Sequence, residues 1–366
     1  MEPIVVFFIS GHGFGHASRQ VEIINRLGVL APSPILIRSA VSPDLLRRTV
    51  RVPYELISGV CDTGVIQASS ISHDDAATVR EAMEFYRTFE ARVIEETARL
   101  ADRNVRLIVG DVPPLAFAVA RRLKVPAVAV ANFTWDWIYE THPGFLPAGA
   151  PVLETIRDAY RSAALALELP FSCGLDVFPM VEPIPLIARR PTRSAGETRA
   201  HFDLPTAGRV ALLSFGGYGL PALDLSTVDI PPGWTIVTTD RVSRTGADAP
   251  HVRAIVEDTL IAGAFRYEDL VAAVDIVITK PGYGIIAECI ATGAAMLYTS
   301  RGSFREYDVL VKALPRFVRS RFIDQADLFA GRWRSALEAL VDQPPPPERI
   351  GINGADVAAA RIVKVP

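Results

Sequence analysis

A glycine turn between an apolar strand and an apolar helix carries the clearest chemistry in this sequence. Residues 276–278 predict a buried strand, and Gly282, Tyr283 and Gly284 turn the chain into a helix that closes at Gly293. This order presents free backbone N–H groups and the positive end of a helix to an anion. Glu288 lies about one turn inside the helix, where its carboxylate repels phosphate but can accept hydrogen bonds from the paired hydroxyls of a sugar. The ordinary alternative is a structural βα unit with a tight turn.

Two more glycine turns follow predicted strands, SGHGFGH at 10–16 and SFGGYG at 214–219. The first is close to the dinucleotide fingerprint G-x-G-x-x-G, but its third glycine, Gly15, comes one place early. Arg38 and Ser39 end the second strand, where an acid that binds ribose is expected. The sequence also lacks the G-x-x-x-x-G-K-[ST] pattern of a P-loop. These departures argue against NAD binding and against a Walker-type ATPase or kinase.

The elements that must hold these turns form two series of alternating strands and helices. Strands are predicted at 4–9, 34–37, 105–109, 127–130, 210–213, 235–238, 276–278 and 296–298. The main helices are predicted at 17–27, 45–51, 78–103, 114–123 and 354–363. Segment 58–75 has turn chemistry, and prolines and arginines cluster at 179–206, which we interpret as a crossover between domains. Such alternation is typical of α/β proteins with doubly wound parallel sheets, which bind ligands at the carboxyl ends of the strands.

The two series predict two Rossmann-like αβα domains that face each other across a cleft, a favoured place for ligands. We assign residues 1–185 to an N-terminal domain and 186–348 to a C-terminal domain. Residues 349–366 are expected to form a C-terminal helix that packs back toward the N-terminal domain. A chain of 366 residues is long enough for two domains that each bury a core.

The composition narrows the possible function classes. An apolar fraction of 49% fits buried parallel strands, and a net charge of −3 argues against nucleic-acid binding. Cys61, Cys173 and Cys289 are far apart, which indicates a reducing compartment and argues against a disulfide framework or a zinc knuckle. The opening MEPIVVFFIS has an acid where a signal peptide carries positive charge, and no run approaches the ~20 apolar residues of a membrane span. We therefore expect a soluble, cytoplasmic protein with no transmembrane segment.

The segment NFTWDWIYE at 132–140 interleaves aromatic rings with a carboxylate. Trp135 and Asp136 suit the wall of a sugar site, because sugars combine apolar faces with hydroxyl groups. Core packing behind the loop is an equally good interpretation, and the sequence leaves both open.

Together these motifs resemble one family. They are SGHGFGHASR, GDVPP, NFTWDWIYE, SFGG, KPGYGIIAE, SRGSFRE and GINGADVAA. Over almost the whole chain they are similar to the glycosyltransferase-like N-terminal domain of plant L-arabinokinases and its stand-alone bacterial relatives. NFTWDWIYE and GHGFGHASR are the most specific of them. More distantly, the chain resembles GT-B nucleotide-sugar transferases, such as the peptidoglycan GlcNAc transferase and plant-type glucosyltransferases. The kinase half of the arabinokinases has no counterpart here, so arabinose phosphorylation is not implied.

The resemblance implies a GT-B fold whose C-terminal domain binds a nucleotide sugar and whose N-terminal domain binds the acceptor. The turn from Gly282 through Tyr283 to Gly284 then cradles the diphosphate, and Glu288 takes the ribose hydroxyls. Further donor contacts are implied for Ser214, Gly216, Gly217, Lys280 and Glu306. For Lys280 and Glu306, a solvated side chain is as good an explanation.

On the acceptor side, His16 matches the histidine that serves in relatives as a base or as a contact to an acceptor diphosphate. It lies where a helix begins, and the positive helix end favours the neutral imidazole that a base needs. Asp111 ends another strand and matches the aspartate that orients the base in glucosyltransferases. His12 is the second candidate base, although a loop histidine bonded to backbone is more ordinary. The expected acceptor-side residues are Gly13, Gly15, His12, Asn132, Trp135 and Asp136.

The favoured function is a glycosyltransferase that moves a sugar from a nucleotide sugar, expected to be UDP-linked, to a hydroxyl acceptor without a cofactor. Metal independence follows from the lack of a DxD triplet and of any His, Asp or Cys cluster with metal-ligand spacing. Two alternatives remain open. One is a nucleotide-sugar 2-epimerase, which needs acids over the donor sugar, and the other is a module that senses a nucleotide sugar without turnover. The sequence determines neither the donor nor the acceptor.

Overall fold

The computed structural model describes residues 2–145, 149–216, 219–239, 245–302 and 304–366. Two compact units divide the chain. Unit 1 contains Met1–Ile66, Asp74–Ala188 and Gly351–Pro366, and unit 2 contains Gln67–His73 and Arg189–Ile350. Within the described ranges, no helix is long and apolar enough to cross a membrane.

The elements alternate along the chain. Those up to residue 183 are β1 (Ile4–Ile9), α1 (Phe14–Leu30), β2 (Ile35–Ser39), α2 (Pro43–Thr49), β3 (Tyr54–Ser58), α3 (Asp75–Arg87), α4 (Phe89–Leu100), β4 (Val105–Asp111), α5 (Pro114–Leu123), β5 (Ala127–Ala131), α6 (Trp135–Glu140), α7 (Ala150–Tyr160), β6 (Leu165–Glu168) and β7 (Val181–Pro183). Those that follow are α8 (Ala195–His201), β8 (Arg209–Ser214), β9 (Trp234–Thr239), β10 (Val252–Ile255), α9 (Glu257–Ala262), α10 (Tyr267–Ala273), β11 (Ile276–Thr279), α11 (Tyr283–Thr292), β12 (Ala295–Tyr298), α12 (Arg305–Phe317), β13 (Ser320–Phe322), α13 (Gln325–Phe329), α14 (Arg334–Val341) and α15 (Gly354–Lys364).

Unit 1 is built on a parallel sheet with the strand order β3-β2-β1-β4-β5-β6-β7. Val5, Phe7 and Ile9 of β1 pack into a core with α1, α2 and α15. The alternate residues Val6 and Phe8 are buried as well, so both faces of the strand are covered. Burial on both faces explains why the central strands read as continuous apolar runs in the sequence.

Unit 2 has a parallel sheet with the order β10-β9-β8-β11-β12-β13. Its core joins these strands to α14 and to the fully buried Trp333. In each unit the first strand has its successor on one side and a later strand on the other. The strand order therefore reverses between β1 and β4 in unit 1 and between β8 and β11 in unit 2. Such switch points leave a crevice at the carboxyl ends of the strands, where α/β proteins bind ligands.

Two segments belong to a unit from which they are remote in sequence. Residues 67–73, which the sequence places in the N-terminal half, lie in unit 2, where Ser70 Oγ donates to the Phe215 carbonyl at 2.7 Å and Ile71 packs on the core. Helix α15 lies in unit 1 and packs on α1, with Asp356 3.1 Å from Arg26. The placement of residues 67–73 cannot be derived from local sequence, because it depends on contacts made far along the chain.

The structure corrects the predicted helix at 78–103. It is two helices, α3 and α4, which meet at Thr88. The Thr88 hydroxyl donates to the Phe85 carbonyl at 3.1 Å, and its backbone N–H bonds to Phe85 and Tyr86 instead of continuing the regular ladder. Threonine side chains compete in this way with helical backbone hydrogen bonds. An apolar stripe of helical period cannot reveal such a break.

Five short strands were not predicted, and they are β3, β6, β7, β10 and β13. Four of them are edge strands, and β6 neighbours the edge strand β7. An edge strand is only partly covered, so its sequence lacks the continuous apolar run that marks a central parallel strand. In β13, for example, no residue is buried.

Candidate functional site

Asp111 is the centre of a buried polar cluster at the switch point of unit 1. Its Oδ1 accepts from His16 Nδ1 at 2.8 Å and from Arg19 Nη2 at 2.5 Å. Its Oδ2 accepts from Arg19 Nε at 2.5 Å and from Gln20 Nε2 at 2.9 Å. Arg19 Nη1 also donates to Asn132 Oδ1 at 2.5 Å. Asp111 ends β4, Asn132 follows β5, and the other three residues lie in the first two turns of α1, so the sheet edge brings all five together.

The charge of Asp111 is set by two opposing effects. The residue has no exposed surface, and burial by itself raises the pKa of a carboxyl. Arg19 and His16 outweigh this effect and hold the pKa of Asp111 at about 2. Asp111 is therefore an anion at neutral pH, and it can accept every hydrogen bond that its neighbours direct to it.

The anion decides which nitrogen of His16 carries the proton. Nδ1 lies 2.8 Å from Asp111 Oδ1 and 2.9 Å from Arg19 Nη2. If Nδ1 were unprotonated, its lone pair would face a carboxylate oxygen at hydrogen-bond distance, which is repulsive. We therefore assign the proton to Nδ1, which donates to Asp111, because Arg19 Nη2 has Asp111 Oδ1 itself as an acceptor at 2.5 Å. In the neutral ring the lone pair is then on Nε2. Nε2 makes no hydrogen bond to the described residues, so it is free to accept a proton.

His12 lies beside a second buried acid, Asp62. Asp62 accepts from Ser10 Oγ at 3.1 Å and from Trp135 Nε1 at 2.8 Å, and His12 Nε2 lies 3.6 Å from its Oδ1. Gly64 leaves room for this ring, because a Cβ there would lie 2.3 Å from His12 Cγ. The Trp135 ring is 6.3 Å from the His12 ring and 6.2 Å from the His16 ring, between centroids. The structure thus brings both predicted histidines and Trp135 together.

Asp136 is not part of this cluster. Its Oδ2 accepts from Arg157 of α7 at 2.9 Å, and its Oδ1 has no partner among the described residues. This pairing favours a structural role over the predicted sugar contact. Gly13 caps α1 with a φ of 76°, whereas Gly15 is the second residue of the helix, and a Cβ at either position would meet no atom within 4 Å. The turn before His16 is therefore open.

In unit 2, the turn after β8 is fixed by hydroxyl groups. Tyr267 donates to Ser214 Oγ at 2.5 Å, and Thr279 Oγ1 donates to the Ser214 carbonyl at 2.5 Å. Ser214 and Thr279 end β8 and β11, so these bonds cross the switch point of the sheet. Gly216 follows with a φ of 69° and open space around its Cα, and Gly217 lies outside the described residues.

The predicted phosphate turn forms the start of α11. Gly282 is its N-cap, Tyr283 and Gly284 are its first residues, and a Cβ on Gly282 would meet no atom within 4 Å. No side chain caps this end. Lys280 precedes the turn and is partly buried; burial lowers its pKa to about 7, Arg301 acts in the same direction, and Glu306 acts against it. A lysine of this kind gains its full charge when an anion approaches.

Glu288 lies inside α11 and is held by an arginine from the crossover. Arg189 donates to Glu288 Oε1 through Nε at 2.7 Å and through Nη2, and its Nη1 lies 3.3 Å from Glu268 Oε2. Both glutamates are buried, whereas the Arg189 side chain is 21% exposed. Burial raises the pKa of Glu288, Arg189 opposes this, and Glu268 adds to it. Glu288 Oε2 has no hydrogen bond among the described residues, so it is available to a ligand hydroxyl.

Glu306 lies in the first turn of α12 and is buried. Its Oε1 accepts from Arg301 Nη1 at 3.2 Å, and the Arg301 guanidinium stacks 3.9 Å from the Phe304 ring centroid. Within the described ranges, Glu306 Oε2, Arg301 Nε and the buried Thr299 Oγ1 have no partner. Buried polar groups without partners cost free energy, so these donors and acceptors suit a polar ligand.

The arginines of these clusters were missed in the sequence. Arg19 had a detectable signal, because it lies three residues after His16 and therefore on the same side of the helix. Arg189 had no local signal, since it lies in a proline-rich crossover 99 residues before Glu288. Asp62 likewise follows the edge strand β3, which was not predicted.

The chain is similar to known proteins along almost its whole length. No protein-family profile matches the chain. The chain is 27% identical over 361 residues to the L-arabinokinase of Arabidopsis thaliana. The aligned region covers 97% of this chain and 34% of that protein. Among solved structures, UGT2 of Phytolacca americana, complexed with UDP-2-fluoroglucose and pterostilbene, superimposes with a TM-score of 0.61 at 13% identity, covering 99% of this chain and 94% of that one.

The fold is that of the GT-B glycosyltransferases. The predicted resemblance and the predicted α/β GT-B fold are thereby confirmed. The chain is also 23% identical over 316 residues to the peptidoglycan GlcNAc transferase of Clavibacter michiganensis, covering 81% of this chain and 76% of that protein. It spans about a third of the length of the Arabidopsis arabinokinase.

Proposed function

We propose that this GT-B protein is a metal-independent glycosyltransferase that moves a sugar from a nucleotide-sugar donor, expected to be UDP-linked, to a hydroxyl acceptor. The observation that carries the proposal is the His16–Asp111 pair, in which Nδ1 is bonded to a buried anion at 2.8 Å and Nε2 has no hydrogen bond to any described residue. A sheet edge with a purely structural role does not require a histidine that is oriented by a buried carboxylate. The UGT2 structure supports the class, since it is complexed with a UDP-sugar analogue and pterostilbene.

The donor is assigned to unit 2. The N–H groups at the start of α11 and the positive end of that helix bind the diphosphate, and Lys280 adds a charge. Glu288 Oε2 accepts from the ribose hydroxyls, and Arg189 holds the carboxylate in place through Oε1. Glu306 and Arg301 offer an acceptor and a donor to the hydroxyls of the sugar.

The base is assigned to unit 1. His16 Nε2 takes the proton of the acceptor hydroxyl, and the oxygen forms a bond to the anomeric carbon of the donor sugar. The bond from that carbon to the diphosphate oxygen breaks, and the diphosphate leaves with the electron pair. Asp111 stabilises the imidazolium that results, because it already accepts from Nδ1. The helix end and Lys280 stabilise the charge on the diphosphate, so turnover should persist in EDTA.

Nucleotide binding tests the donor assignment. We expect calorimetry to identify a nucleoside diphosphate that binds the native chain and whose affinity falls by about tenfold or more in Glu288→Gln, since the ribose hydroxyls lose a charged acceptor. Glu268→Gln is the matched control, because it removes the other acid of Arg189 without touching the predicted ribose site. Equal affinity of Glu288→Gln and the native protein would remove Glu288 from the site.

Turnover tests the base. Once a donor and an acceptor are found, His16→Ala should bind the donor normally and turn over about 100-fold or more slowly, the usual contribution of a positioned base. His12→Ala is the matched control, four residues earlier in the turn before α1, and should retain most activity. Native turnover by His16→Ala would place the base elsewhere, with His12 as the next candidate. Loss of donor binding in His16→Ala would favour the sensing module instead.

One observation supports a second candidate, the nucleotide-sugar 2-epimerase. Glu306 is a buried acid with one oxygen that has no partner in the described residues, as an acid over the donor sugar requires. Incubation of the donor alone distinguishes the two reactions. An epimerase converts it to a second nucleotide sugar, whereas a transferase leaves it unchanged until an acceptor is added.

A further inference from the structure

Arg19 takes no direct part in the proton transfer that we propose for the His16–Asp111 pair. It is nevertheless 7% exposed and directs all three of its nitrogens into the cluster. Nε and Nη2 contact the two oxygens of Asp111 at 2.5 Å each, Nη2 lies 2.9 Å from His16 Nδ1, and Nη1 donates to Asn132 at 2.5 Å. This fork–fork arrangement fixes the guanidinium in one position. Arg19 can therefore act on His16 both directly and through Asp111.

A buried carboxylate paired only with a histidine would create a difficulty for a base. The anion would have no other counter-charge, and it would hold the imidazole in its protonated form. A protonated imidazole cannot accept the proton of an acceptor hydroxyl. The carboxylate is still needed to orient the ring, because Nδ1 must donate to it for Nε2 to carry the lone pair.

We propose that Arg19 is a positioning residue of His16, which neutralises Asp111 so that the carboxylate orients the imidazole without keeping it protonated. The inference rests on the proposed role of His16 as a base. It goes further by assigning to Arg19 the protonation state of that base. The low pKa of Asp111, about 2, agrees with a carboxylate whose charge is met mainly by Arg19.

The other groups around His16 do not supply this charge balance. Phe133 and Trp135 contact the imidazole as uncharged rings, with centroids 5.6 and 6.2 Å away. Trp135 also donates to a further acid, Asp62, which accepts from Ser10 as well. An acid there adds negative charge near the site, so it increases the need for Arg19.

The test is a pH titration of the histidine ring resonances by NMR in the full chain, with His16 assigned from a His16→Gln variant. In Arg19→Met, which keeps an unbranched side chain and removes the charge, the His16 midpoint should rise by about 1–2 pH units, the usual effect of an unbalanced neighbouring carboxylate. Adding Asp111→Asn to Arg19→Met should reverse the rise. Arg19→Lys, which keeps the charge and loses the fork, should shift the midpoint much less. His12, which contacts Asp62 instead, is the internal control and should not move.

An unchanged His16 midpoint in a folded Arg19→Met protein would show that Arg19 only supports the structure, and would overturn the inference. If Arg19→Met does not fold, the comparison of Asp111→Asn with the double variant Asp111→Asn, Arg19→Met decides, because the first leaves Arg19 facing His16 alone and the second removes both charges. The midpoint should be lower by about 1 pH unit or more in Asp111→Asn than in the double variant, and equal midpoints would contradict the inference. The titration needs neither donor nor acceptor. Its result is therefore independent of whether the protein proves to be a transferase.

Discussion

Replacing Asp111 by asparagine tests the electrostatic reading of the cluster directly. Asparagine has nearly the same shape, but it offers one acceptor oxygen where the carboxylate offered two, and it carries no charge. His16, Arg19 and Gln20 all donate to Asp111 at 2.9 Å or less. The variant therefore leaves a buried guanidinium without its counter-ion, and we expect the free energy of unfolding of unit 1 to fall.

The magnitude follows from the pKa of Asp111. This pKa is about 2 in the folded protein, compared with an ordinary value of 3.8. Each pH unit of difference corresponds to about 1.4 kcal/mol, so the charged carboxylate contributes roughly 2–3 kcal/mol to stability. Because the folded-state pKa is the lower one, this contribution is complete above 3.8 and is lost as the pH falls toward 2. The difference between the native protein and Asp111→Asn should therefore not shrink from the neutral to the mildly acidic range, and it grows on acidification only to the extent that His16 binds its proton at a lower pH in the variant.

The assay is urea unfolding from pH 4.5 to 7.5, followed by hydrogen exchange of peptides from β4 so that unit 1 is observed separately. Asp136→Asn is the matched control, since it removes a buried aspartate that has Arg157 as its main partner. A stability difference that shrinks between pH 7.5 and pH 5 would refute the reasoning. It would mean that burial outweighs Arg19 and that Asp111 becomes protonated in that range.

Two further predictions concern the glycine turns. If Lys280 binds the diphosphate, its pKa of about 7 implies that nucleotide affinity weakens above pH 7, approaching about tenfold per pH unit, and that this pH dependence disappears in Lys280→Met. Calorimetry across pH 6 to 9 measures this, and pH-independent binding by the native protein would remove Lys280 from the phosphate site. Gly13→Ala should destabilise unit 1 by about 1–3 kcal/mol, because its φ of 76° with a ψ of 169° is a conformation that essentially only glycine adopts. Gly15→Ala is the control for that change, since Gly15 is helical with equally open surroundings, and equal stability of the two variants in urea would contradict the argument.

The sequence alone was sufficient for the central architecture. The runs at 4–9, 105–109, 210–213 and 276–278 are buried on both faces, so their apolar composition is continuous and recognisable. Each glycine turn is a local feature that follows such a run directly. For this reason the strand ends that carry His16, Asp111, Ser214 and Gly282 could be located, and the family resemblance rests on the same short motifs.

Only the tertiary structure decided which arginines pair with these acids. Arg19 and Asp111 are 92 residues apart, and Arg189 and Glu288 are 99 residues apart. Neither pair has a sequence signature, because an ion pair is selected by whichever charge the sheet order places within reach. The same holds for Asp136, whose type and position suited a sugar site until α7 brought Arg157 to its carboxylate. Local pattern therefore determined where the strands end, and long-range packing determined the charge balance at those ends.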